Sequence, residues 1–202
     1  AMYTTAMMLF EQGKFRMSDP LYEYFPEYRT MSKYVVKDNG EVCVVPVEKP
    51  ITVKQIMNMT CGMPYEMIMG NSPVAHPTAK AMAKAMKPLR EKGYFTLREQ
   101  IRACAEAPLA FEPGTRWLYG FASELTAGLL EVIGGKTAEM VIKEMLFETL
   151  GMDSSANFLF GDLEQRLVKN YYLTRGKNLG DEGALYVAPP HMESIFTGPL
   201  GT

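Results

Sequence analysis

Apolar residues recur along most of the chain at the three- and four-residue spacing of a helix, and at one place in short β-branched runs. Met2–Gln12 reads as a helix closing on Gly13, the residue type that takes the left-handed stop position at no steric cost. Ser18-Asp19-Pro20 reads as a turn and Leu21–Pro26 as an apolar connector. Tyr34-Val35-Val36 and Val42-Cys43-Val44-Val45 flank Asp38-Asn39-Gly40. That pattern predicts a hairpin, because Asn and Gly accept positive φ in the turn. Pro46 and Pro50 are expected to close it.

Helical patterns follow. Thr52-Val53-Lys54-Gln55 has the spacing of a capping box and opens a short helix through Met59, stopped by Gly62 and Pro64. Thr78–Lys92 is a second helix in which Pro88 is expected to kink or end the run. Thr96-Leu97-Arg98-Glu99 is another capping box, and its helix must end before Pro108. Phe121–Ile133 places Leu125, Leu129 and Val132 on one face and ends on Gly134-Gly135. Thr137–Leu150 carries Met140, Val141, Ile142, Met145 and Leu146 and closes on Gly151. Beyond Met152 the periodicity weakens, with Leu167-Val168, Tyr171–Leu173 and Ala184–Val187 as candidate strands. The expectation is one mainly α (α+β) domain over residues 1–202, with a small β-hairpin and a less regular stretch at 153–202.

Composition narrows what such a domain does. With 202 residues, 47% hydrophobic and 22% charged, the chain has enough apolar material for one core. A formal net charge of -2 offers no basic field for a phosphate backbone, so nucleic acid is not expected as a partner. No apolar run approaches the roughly 20 residues that span a bilayer. Cys43, Cys61 and Cys104 are odd in number and form no C-x-x-C pair. They read as small buried hydrophobes in a reducing compartment. No signal-peptide pattern is present, and the expected location is cytoplasmic. The 16 methionines read first as fillers of irregular core gaps. The chain opens inside a helix and closes on loop-like Phe196–Thr202, as a domain taken from a larger protein would.

Most catalytic signatures are missing. No phosphate loop, dinucleotide loop, H-E-x-x-H pair or G-x-S-x-G elbow occurs, and no serine has a lysine three residues on. His76 and His191 stand far apart with no neighbouring cysteine, so neither metal nor cofactor is expected. One stretch is distinctive: Phe111-Glu112-Pro113-Gly114-Thr115-Arg116-Trp117-Leu118-Tyr119-Gly120. On local pattern it is a tight turn leading to a helix entrance anchored by a buried Trp. Alternatively, Tyr119 stands where the positive end of the helix dipole favours a phenolate.

Leu9–Phe15, Asp19-Pro20, Tyr24–Tyr28, Ile51–Pro64, Glu112–Thr115 with Leu118-Tyr119, and Leu150-Gly151-Met152-Asp153 fall in a fixed order. In that order the chain resembles the serine β-lactamase and penicillin-binding-protein superfamily, in the branch of class C β-lactamases, D-aminopeptidases and related carboxylesterases. Ile51–Pro64 is similar to that family's "I-T-V-R-H-L-L-T-H-T-S-G-L-P" segment, and Leu150–Asp153 to its "P-L-G-M-x-D". The resemblance covers most of the chain to about residue 155.

The resemblance implies the helical domain of the β-lactamase/transpeptidase-like fold. It implies a Ser nucleophile, a Lys one helical turn later and a Tyr that together move a proton, with an acyl-enzyme resolved by water or another acceptor. Tyr119 matches the catalytic Tyr. Phe121 stands where close homologues often carry Asn, which argues against efficient β-lactam turnover and toward the esterase-like pattern. There the later polar residue is Glu124, so Phe121 and Glu124 are the implied substrate-binding positions. Counted back from Gly13, the S-x-x-K motif would fall just before Ala1. The Lys- or His-Thr-Gly motif would come after Thr202, and Thr197-Gly198 sits too early for it. The implied chain is a catalytically incomplete helical half that meets a small-molecule or peptide substrate in the full enzyme. The rival expectation is a non-enzymatic binding module of the same descent. Either version leaves an apolar face that favours self-association. A third, unrelated possibility is an enzyme using Cys61 or Cys104 as nucleophile.

Overall fold

The first helix, α1 (Met2–Glu11), ends as its sequence dictates: Gly13 takes φ +70°, and its N–H bonds Phe10 O at 2.8 Å. The structure, a computed structural model, describes residues 1–65 and 76–156, Asp162, Arg166, and the main chain of two short strands near the C-terminal end. After two 3₁₀ turns the chain forms the hairpin β1 (Ser32–Val36) and β2 (Val42–Pro46), antiparallel with Val36 opposite Val42. The register leaves residues 37–41 as the loop, where Gly40 adopts φ +80°. Pro46 is the last residue of β2 rather than a residue beyond it. The other edge of β1 is covered by Leu109, whose N–H bonds Ser32 O at 2.7 Å while its carbonyl accepts from Tyr34 N at 2.9 Å.

Both expected capping boxes form. Thr52 and Gln55 open α2 (Val53–Met57), and Thr96 and Glu99 open α4 (Leu97–Cys104). Between them α3 (Pro77–Lys92) begins on His76, whose Nδ1 accepts from Thr78 N at 3.2 Å. Pro88 neither ends nor interrupts α3. Lys84 and Pro88 are both exposed, so the carbonyl that Pro88 cannot satisfy lies on the solvent side, where water can replace the lost bond.

The central helix is α5 (Ala122–Gly134), which buries Leu125, Leu129 and Leu130, while Val132 is exposed. The buried stripe thus turns through Leu130 rather than through Val132. Gly128 lets α4 approach: a Cβ there would run into Ile101 Cδ1 of α4 and lie 3.0 Å from Phe25 Cζ. Phe25, Tyr28, Ile56, Met63, Met82, Met86, Ile101 and Cys104 complete one core with α5. Gly135 closes α5 with φ +67°. The next helix is shorter than its pattern predicts. α6 (Ala138–Ile142) widens into a π turn over Lys143–Phe147, and the chain leaves it through Gly151 at φ +63°. Near the C-terminal end β3 (Tyr171–Leu173) pairs antiparallel with β4 (Leu185–Val187). Leu167, Val168 and Ala184 lie outside the described residues. Among the described residues no helix is long and apolar enough to cross a membrane. The fold is mainly α with small antiparallel hairpins.

Candidate functional site

Two loops, Met59–Tyr65 and Ala110–Phe121, run side by side and are joined by their main chains. Gly114 N bonds Thr60 O at 2.8 Å, Leu118 N bonds Met59 O at 2.9 Å, Phe121 N bonds Met63 O at 3.0 Å, and Ala110 N bonds Gly62 O at 2.8 Å. Pro64 and Gly120 add an antiparallel bridge. The contact at Gly120 is so close that a Cβ there would lie 2.6 Å from Pro64 Cα. Thr115 N bonds Glu112 O at 3.2 Å, with Gly114 at φ +88° in the third position of that turn, where a side chain would be strained.

The turn is anchored by Glu112. Its carboxylate accepts from Lys33 Nζ at 2.7 Å, Glu48 N at 3.0 Å and Lys49 N at 3.1 Å. Desolvation alone would raise the Glu112 carboxyl, but Lys33 and the two backbone N–H groups outweigh it and hold it below the usual carboxylate range.

On this support Tyr119 is 45% exposed, and its ring meets Tyr65 edge to face, with centroids 5.4 Å apart and planes at 69°. Glu124, in the first turn of α5, points its carboxyl toward the same place, and Oε2 is buried with no hydrogen-bond partner. The Tyr65 hydroxyl acts on Glu124, and Ser123 and Tyr119 act on Tyr65. Ser123 Oγ lies 3.5 Å from the Tyr3 hydroxyl of α1. Burial pushes the Glu124 carboxyl up to about 7, against the opposing influence of its own backbone N–H and of Tyr65. Burial also raises the Tyr65 phenol, reinforced by the Glu124 charge.

The structure therefore brings Tyr119 and Glu124 together around a third residue, Tyr65. Phe121 goes elsewhere: it is 2% exposed and belongs to the core at the start of α5. Trp117 does not anchor the helix entrance from inside, because it is 67% exposed. Sequence reasoning missed Tyr65. Its one local signal is a polar aromatic directly after Gly62-Met63-Pro64, where the loop leaves the core. Cys61 is fully buried, and burial pushes its thiol up to about 11, which removes it as a nucleophile at neutral pH. Cys104 is buried as well. Among the described residues no group of three or more His, Cys, Asp or Glu side chains is placed to hold a metal ion. The arrangement suits proton transfer at a phenol that solvent reaches, backed by a second phenol and a carboxyl that changes charge near neutral pH.

Comparison with known proteins agrees on the ancestry of these elements. A family model described as Beta-lactamase matches residues 3–189. A lovastatin esterase from Penicillium rubens is 27% identical over 186 residues, which cover 89% of this chain and 41% of the esterase. Esterase EstB from Burkholderia gladioli is 23% identical over 146 residues, covering 72% of this chain and 33% of EstB. The chain thus spans well under half the length of these curated relatives. The unliganded simvastatin synthase LovD from Aspergillus terreus superposes with a TM-score of 0.69 at 19% identity, over 99% of this chain and 45% of that one.

Proposed function

This chain belongs to the beta-lactamase family, and from that premise we propose that it is the helical wall of a serine hydrolase that opens an ester carbonyl through an acyl-enzyme. The single observation that carries the reading is Tyr119: a half-exposed phenol on a loop tied by main-chain bonds, beside Tyr65 and a buried carboxyl. In the proposed reaction a serine Oγ attacks the ester carbon, and its proton leaves toward a lysine and the Tyr119 oxygen. That proton passes to the departing alkoxide as the C–O bond breaks, and water then releases the acid. No serine of this chain has a lysine three residues on, so the proposal places the nucleophile pair outside these 202 residues and makes the chain incomplete by itself.

A preference for esters over D-amino-acid peptides and β-lactams, both amides, is supported by Phe121. With a hydrocarbon ring turned into the core, that position offers no hydrogen bond to a substrate amide. The names of the esterase relatives point the same way. The test compares a short-chain p-nitrophenyl ester with a chromogenic cephalosporin, using the full protein and its Tyr119→Phe variant. The expected result is faster ester turnover and a loss of about 100-fold or more in kcat on Tyr119→Phe, the scale of one general acid–base group. Unchanged kcat, or a phosphonyl adduct of the 202-residue chain with a fluorophosphonate, overturns the assignment.

A second reading, a non-enzymatic binding module, draws on the exposed hairpin valines Val36, Val42 and Val44. It expects self-association or partner binding with no hydrolysis by the full protein, and sedimentation across concentrations together with the ester assay separates the two.

A further inference from the structure

The buried oxygen of Glu124 that finds no partner is the unexplained atom of the site. A buried acceptor without a partner costs free energy unless the group carries a proton or a hydrogen bond is waiting to form. Among the described residues, the titratable group that faces this carboxyl is Tyr65, with Tyr119 reached through Tyr65 and Tyr3 of α1 through Ser123. No Lys, Arg or His of the described residues acts on it.

We infer that Glu124 is a positioning residue that sets the direction of a hydrogen-bond relay from its own carboxyl through Tyr65 to Tyr119. The functional consequence rests on Tyr119 being the proton-moving group proposed above. The relay follows from donor and acceptor counting. A neutral Glu124 carboxyl has one O–H to donate to the Tyr65 oxygen. Tyr65 then spends its own O–H on the Tyr119 oxygen and stabilises a Tyr119 phenolate. An ionised Glu124 can only accept, so Tyr65 must donate to it, and Tyr119 in turn donates its O–H to Tyr65. The relay reverses, and its added negative charge further disfavours a phenolate. Protons only change partners along the relay; no bond to carbon is made or broken.

The chain labelled with [ζ-13C]tyrosine tests this by NMR between about pH 5 and 11, with Tyr65 and Tyr119 assigned from Tyr65→Phe and Tyr119→Phe. The expected result is one common step of both resonances near neutral pH, well below phenol ionisation. Glu124→Gln abolishes the step, and Glu124→Asp retains one. Tyr65→Phe removes the step from Tyr119 and covers the case in which Glu124→Gln does not fold. No step in the wild type, a step unchanged by Glu124→Gln, or a full Tyr119 step in Tyr65→Phe overturns the relay. None of these readouts needs catalysis, so loss of the relay and loss of the hydrolase reading are told apart by the ester assay.

Discussion

Lys33 on the hairpin and Glu112 on the Tyr119 loop meet at 2.7 Å with both side chains mostly covered, so a strand and a loop far apart in sequence are tied together. The same carboxylate takes the N–H groups of Glu48 and Lys49.

Glu112→Gln is therefore expected to loosen the loop as well as lower stability. The Glu112 carboxyl is held below its ordinary value in the folded state, so its contribution is complete above about pH 4.5 and disappears as pH falls through the folded value. Thermal melts of wild type and Glu112→Gln should differ at pH 7 and converge in acid. A constant gap would mean the charge plays no part.

Glu124 gives the opposite slope. Its folded carboxyl is raised to about 7 from an unfolded value of 4.5, so the native state holds its proton longer and stability falls as pH climbs between those values. A shift of that size amounts to a loss of about 3 kcal/mol above neutrality. Glu124→Gln removes this slope. Chemical denaturation at pH 5 and pH 8 should show wild type losing stability relative to the variant, and parallel behaviour would refute the buried ionisation.

Gly120→Ala forces a methyl group into the main chain of Met63 and Pro64. Overpacking against backbone costs about 1–3 kcal/mol. The expected variant folds with lowered stability and with the Tyr65–Tyr119 ring contact disrupted, visible as a change in near-UV circular dichroism. A Gly120→Ala protein with native spectrum and stability would show that the bridge is not tight.

Tyr28→Phe isolates a core hydrogen bond. The Tyr28 hydroxyl, fully buried, donates to Ile101 O at 3.0 Å, and that carbonyl also accepts from Ala105 N within the last turn of its helix. Because the acceptor keeps a partner, the expected cost is about 1 kcal/mol, a fall of roughly 2–4 °C in Tm for a domain of this size. A loss several times larger would mean that the hydroxyl also fills space.

What the sequence made legible was local. The two capping boxes are complete within four residues each, and both formed where Thr52 and Thr96 stood. Gly13, Gly135 and Gly151 took the left-handed stops that their positions demanded. Pro88 failed as a helix breaker because the cost of a missing N–H depends on which side of the helix it faces, a tertiary property. Trp117 reads as a buried anchor only if size alone sets burial. The neighbouring main chain is instead satisfied by Met59, so the ring is left outside. At the site, Tyr119 was visible from its motif. Tyr65 was not, because its importance arises only when a loop from residues 59–65 lies against one from 110–121.

Apart from the Glu112 carboxylate, the support of Tyr119 is built largely from amides and carbonyls, and a scaffold of that kind is indifferent to many of the side chains its residues carry. The side chains of Arg116 and Trp117 are exposed and are expected to be exchangeable without moving the phenol, whereas Thr115 Oγ1 bonds Glu112 O at 2.7 Å and Gly114 and Gly120 admit no side chain without strain. The loop thus behaves as a socket with a fixed thread and a replaceable bulb. Selection, natural or in the laboratory, can retune what the loop presents to solvent there while leaving the fitting untouched.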